Sequence, residues 1–141
     1  MLRLKAEDEA GAVRWLQRGA EVKSPNACFA LSERYRLGRG VPPDAKAEKT
    51  YLLCAAAAGL GEAAYRMAKG LPPARAVPWL ERAIRVRHAE AINAHAELLL
   101  QGEGVPRNPT LAAERFKTAA DLGSLAAYVN YARLVEPRDA S

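Results

Sequence analysis

Histidine and cysteine occur only twice each in the 141 residues, and aromatic side chains only nine times. His88 and His95 have only Glu90 and Glu97 nearby, a donor set too thin for a closed metal site, so both are expected to pack or cap. No serine or cysteine stands in a nucleophile-elbow context; Ser24, Ser32 and Ser124 fall in turns or on a helix surface. The Gly-x-Gly-Val stretches lack the Gly-Lys-Ser/Thr of a phosphate loop. Sustained period-two alternation is absent, so no sheet is expected. The longest apolar run, Tyr51 to Gly61, is too short to span a bilayer. Met1-Leu2-Arg3-Leu4-Lys5 runs straight into acidic Glu7-Asp8-Glu9 without a targeting pattern. These absences lead to the expectation of a cytoplasmic, non-enzymatic chain with no catalytic residues, no metal and no cofactor.

What the chain does have is a repeat. Gly38-Arg39-Gly40-Val41-Pro42 returns 64 residues later as Gly102-Glu103-Gly104-Val105-Pro106. Each copy follows an Ala-rich apolar stripe and precedes a charged segment that ends in Ala-Ala-x-x-Gly, at Ala55 and Ala119. Degenerate anchors at Gly19-Ala20 and Ala83-Ile84 give successive spacings of 36, 28 and 36 residues. Eight positions after each anchor stands Ala27, Ala63, Ala91 or Ala127. Such internal periodicity decides architecture before any single residue is weighed.

Each period reads as two helices. Ala27, Leu31 and Tyr35 recur every four residues along one helical face, and the glycines after them stop the helix in the left-handed conformation. Asp44 and Asn108-Pro109 are placed to cap the next helix. Helices are expected near 6–21, 26–37, 44–58, 62–69, 74–87, 89–101, 109–121 and 125–134. Trp15, Tyr51 and Trp79, each four residues before an anchor, are expected to fill gaps between successive pairs. The middle copy is eight residues short, four on each side of Gly70. Four residues are about one helical turn, so both of its helices are expected to lose a turn. The chain opens on the second helix of a pair and closes on a first helix, with Tyr128, Val129, Tyr131, Leu134 and Val135 expected to wrap inward. The alternative is that this apolar surface meets another protein or a second copy.

The pattern Ala-x3-Leu-x3-Tyr-x2-Gly-x-Gly-Val, followed by Asp and an Ala-Ala-x-x-Gly segment, resembles the Sel-1-like repeat, a relative of the tetratricopeptide repeat. Residues 27–62 and 91–126 carry it best, 63–90 look like a truncated copy, 9–26 a half copy and 127–135 a terminal helix, within one domain spanning 1–141. His95 stands where the motif has Leu, and Leu99 where it has Tyr. The resemblance implies an all-α, right-handed superhelix of helix pairs, a non-enzymatic scaffold or adaptor whose concave face takes a protein or peptide. Some secreted relatives carry disulfides across helix pairs, but here their pattern would pair Cys54 with a residue near Ala63, where no cysteine stands. Cys28 and Cys54 are therefore expected as buried thiols, although the two could still lie level across the first hairpin.

The net charge is +5, with 15 arginines and six lysines. Arg34, Arg36 and Arg39, and Arg82, Arg85, Arg87 and His88, cluster at helix ends, where cations suit the dipole. An acidic protein partner is the sharper reading. A basic nucleic-acid- or anionic-lipid-associated regulator is the alternative, although the stacking aromatics that single strands favour are missing from these clusters. Off the packing stripe, partner contacts are expected from Phe29, Glu33 and Arg36, then Tyr65 and Lys69, then Asn93, Glu97 and Gln101, then Asn130 and Arg133. For Phe29 and Tyr65, packing between neighbouring pairs is an equal alternative.

Overall fold

A computed structural model describes residues 6–136, with side chains from Asp8 onward. The Met1–Lys5 segment that bears on targeting lies outside the described residues. Eight helices and no strand occur among the described residues: α1 (Ala6–Glu21), α2 (Pro25–Leu37), α3 (Ala45–Ala57), α4 (Gly61–Lys69), α5 (Pro73–Arg85), α6 (Ala89–Gln101), α7 (Pro109–Asp121) and α8 (Leu125–Val135). The sequence periodicity places all eight to within two residues at each end.

The helices begin and end where local chemistry tells them to. Asp44 Oδ1 accepts from the Lys46 and Ala47 amides at 3.0 and 3.1 Å, and Asn108 Oδ1 from Leu111 N at 3.0 Å. Ser24 and Ser124 cap α2 and α8 the same way, and His88 Nδ1 caps α6 through Ala91 N at 3.2 Å. Each cap satisfies an amide that has no partner in the first turn. Gly38 and Gly102 close α2 and α6 at φ 68° and 74°.

The chain forms two compact units, divided between Met67 and Ala68. In the first, α1 packs on α2 and α2 on α3, around buried Val13, Cys28, Leu31, Ala55 and Ala56. The Tyr35 and Tyr51 rings stack with centroids 5.6 Å apart, tying α2 to α3. In the second, α5 packs on α6, α6 on α7, and α8 on both α6 and α7. Its core is Ile92, Ala96, Leu99, Ala112, Phe116, Ala119 and Ala127. Alanine dominates both cores because it lets helix backbones approach closely.

The second glycine of each loop is a joint rather than a cap. A Cβ on Gly40 would lie 2.7 Å from the Glu9 carbonyl oxygen, and one on Gly104 2.7 Å from the Pro73 carbonyl carbon. Each hairpin tip thus rests its bare backbone on the start of the preceding second helix, α1 or α5.

Four expectations are corrected. The middle copy does not lose a turn from both helices: α4 has 9 residues against 13 in α2 and α6, but α5 keeps 13, as α3 and α7 do. The other four residues come out of the loop, where Gly70-Leu71-Pro72 replaces the seven-residue Gly38–Asp44 stretch. Cys28 and Cys54 are not free thiols but a disulfide, with Cα atoms 5.9 Å apart. Trp15 fills no gap: it is 71% exposed, with the Arg18 guanidinium 5.1 Å from its ring. The terminal helix does not wrap inward as a whole. Tyr131 packs on the core, whereas Tyr128, Val129, Leu134 and Val135 stay exposed, because no helix covers that side of α8 among the described residues.

Candidate functional site

Two side-chain clusters on the first helices of the pairs stand out, and they are copies of one arrangement. In the first, Arg66 of α4 bonds the Glu33 carboxylate of α2 and, through Nε, Glu62 Oε1 at 3.2 Å. Its guanidinium lies 4.8 Å from the Phe29 ring centroid. Arg36 completes the group with two bonds to Glu33, at 2.7 and 3.2 Å. In the second, Asn130 Nδ2 of α8 donates to Asn93 Oδ1 at 3.1 Å and Glu97 Oε1 at 3.2 Å, both on α6. Asn93 Nδ2 also donates to Glu97, at 3.3 Å.

The sequence separations coincide: 33 residues from Glu33 to Arg66 and from Glu97 to Asn130. Phe29 to Arg66 repeats the 37 of Asn93 to Asn130. The same positions of successive first helices therefore clasp one another, with an ionic–aromatic clasp in one unit and an amide clasp in the other.

Of the ten residues singled out by spacing, the structure gathers Phe29, Glu33 and Arg36 in the first cluster and Asn93, Glu97 and Asn130 in the second. Tyr65 is half-buried and Lys69 exposed on α4, beside Arg66 in sequence; Gln101 and Arg133 are exposed and take no part in these bonds. Arg66 was missed. The signal for it was the register it shares with Asn130, three residues past the recurring alanines Ala63 and Ala127.

Arg36 first, then Arg66, hold the Glu33 carboxyl below its usual range against the opposing effect of burial, and Glu33 in turn raises Arg36. The Glu33 carboxylate is thus held ionised beside its two arginines. Other cations are also engaged: Arg39 pairs with Glu9 at 3.3 Å, and Arg82 lies 5.0 Å from the Trp79 ring. Among the described residues no group of three or more metal-ligating side chains converges, and no helix is long and apolar enough to cross a membrane.

His95 is a buried exception to the satisfied polar pattern. Its Nδ1 has no hydrogen-bond partner, and neither has Arg115 Nε. Burial, then the Arg115 charge, lower its pKa, while Glu81 opposes them.

Comparison with known proteins agrees with this geometry. No curated protein sequence matches the chain. Among solved structures, a Sel1 repeat protein from Oxalobacter formigenes superposes with a TM-score of 0.79 at 25% identity, covering 84% of this chain and 95% of that one. A protective antigen of uropathogenic Escherichia coli with the same repeat fold gives 0.74 at 21% identity, covering 89% of this chain but 29% of that one. Helicobacter pylori cysteine rich protein B gives 0.62 at 18%, covering 90% and 97%; these last two likenesses concern the fold alone. The Sel1 repeat profile matches residues 4–22, 25–61 and 89–124, passing over the shortened middle copy. With most of its length in that profile and its helices in helix-pair register, the chain is an all-α solenoid and belongs to the Sel1 repeat family.

Proposed function

We propose that this protein is a non-enzymatic scaffold that docks a protein or peptide partner through its first-helix clasps, one in each unit. Sel1 repeat proteins are generally protein-interaction scaffolds, and the duplicated clasp is the observation that carries the reading here. A polar side chain on a helix surface ordinarily spends its conformational freedom in water. Here equivalent positions in both units are held in single geometries, which lowers the entropy cost of engaging a partner.

The two clasps offer different chemistry. Arg36 and Arg66 present guanidinium edges to carboxylates, favouring an acidic segment. Asn130 uses its amide nitrogen within the clasp, leaving Oδ1 to accept from a peptide N–H. Phe29 lies under Arg66, so it supports the guanidinium plane rather than anchoring a partner itself. The Cys28–Cys54 disulfide favours an oxidising compartment over the cytoplasmic alternative.

The test is affinity capture with wild type, Arg36→Glu and Asn130→Ala, each checked for unchanged helicity. Partners retained by wild type and lost from both variants support the first-helix dock. Equal capture by all three overturns it. Repeating the binding across a salt series addresses the nucleic-acid alternative, because phosphate-borne affinity falls steeply with ionic strength.

A further inference from the structure

Among the described residues the four most exposed large apolar side chains, Leu125 (82%), Val22 (80%), Trp15 (71%) and Tyr128 (65%), all lie on or beside α1 and α8. Repeat register explains why. Trp15 and Arg18 of α1 occupy the positions that Tyr51 and Cys54 occupy in α3, 36 residues later. In α3 those two positions face the first helix of the pair: Tyr51 stacks on Tyr35 and Cys54 bonds Cys28. Tyr128 and Val135 of α8 stand 100 residues after Cys28 and Tyr35, in the matching positions of a first helix. So α1 displays the half of a helix-pair interface that a first helix covers, and α8 displays the half that a second helix covers.

We infer that these two faces bind each other between copies: α8 of one molecule packs on α1 of a second, making a composite helix pair across the contact. The Cys28–Cys54 couple becomes Tyr128 against Arg18, and the Tyr35–Tyr51 stack becomes Val135 against Trp15. The chemistry suits this register. Arg18 already lies over Trp15, and a tyrosine ring from α8 gives its other face a second aromatic surface. A hollow of about 180 Å³ lined by Gly11, Arg14, Trp15 and Arg18 leaves room beside the tryptophan for an incoming side chain. Antiparallel packing, as in α2 on α3, brings Val22 at the end of α1 toward Leu125 at the start of α8. The contact joins unlike surfaces, so it is heterologous and each copy keeps one open face for the next. It does not depend on the first-helix clasps.

Register makes the test specific. Arg18→Cys and Tyr128→Cys chains, prepared separately and mixed under mild oxidation, should cross-link to each other in the geometry of the native disulfide. That mixed product should exceed either self-paired product. In parallel, light scattering of wild type should show mass rising with concentration, and Tyr128→Asp, an exposed substitution that spares the core, should remain monomeric with unchanged helicity. A wild type that stays monomeric at every concentration overturns the inference. So does an oligomer that persists in Tyr128→Asp, or cross-linking dominated by position 128 with itself.

Discussion

His95 stands where the repeat motif carries leucine, at the register of Leu31, which is fully buried. A buried imidazole nitrogen without a partner costs stability, so His95→Leu should stabilise the protein by about 1 kcal/mol, read from urea denaturation. It should also change the pH response. The unfolded chain takes up the histidine proton near pH 6.5, whereas the folded chain, its pKa lowered by burial and Arg115, takes it up only at lower pH. Stability is therefore whole above the unfolded value and falls as pH drops toward the folded one. The leucine variant should lack that limb. Glu33 acts in a separate, more acidic window: its depressed pKa adds stability above the usual carboxylate range and loses it as pH falls through the folded value. The disulfide is the other residue-level device. Replacing Cys28 and Cys54 by alanine should lower stability by about 3 kcal/mol, and reduction of wild type should match the double variant in thermal melts.

At the scale of elements, the hairpin tips depend on backbone contact. Gly40→Ala and Gly104→Ala place a methyl group against Glu9 or Pro73 at φ 79° and 72°. Gly59→Ala meets open space at φ 104° and is the control for backbone strain alone. The control should lose about 1–2 kcal/mol, and the tip variants about 1–3 kcal/mol beyond it, measured by denaturant unfolding. Helix boundaries were legible in the sequence because caps are local: Asp44, Asn108 and the loop glycines announce themselves within three or four residues. The fate of the shortened copy was not. Spacing between anchors counts residues without saying whether they belong to helix or loop, and Pro72-Pro73 starts α5 early enough to preserve its full length. Arg66 escaped notice for a related reason, since it lies one position off the counted stripe and gains meaning only when compared with Asn130. Trp15 was misplaced because its register matches Tyr51, while the helix that would cover it belongs to no part of the described chain.

For the whole molecule, repeat register organises both the clasps and the open terminal faces, for which different tasks are proposed. In the proposed reading the clasps on α2, α4, α6 and α8 serve a foreign partner, and the α1 and α8 faces serve another copy. The substitutions separate the two, since Asn130→Ala should reduce partner capture without changing the mass measured by light scattering, and Tyr128→Asp the reverse. The most direct measurement is hydrogen–deuterium exchange of the chain alone and saturated with a partner recovered by capture. Docking on the first-helix clasps predicts new protection in α2 and α4, in α6 and α8, or in both pairs, with α3, α5 and α7 unchanged. Protection confined to α3, α5 or α7 would contradict it.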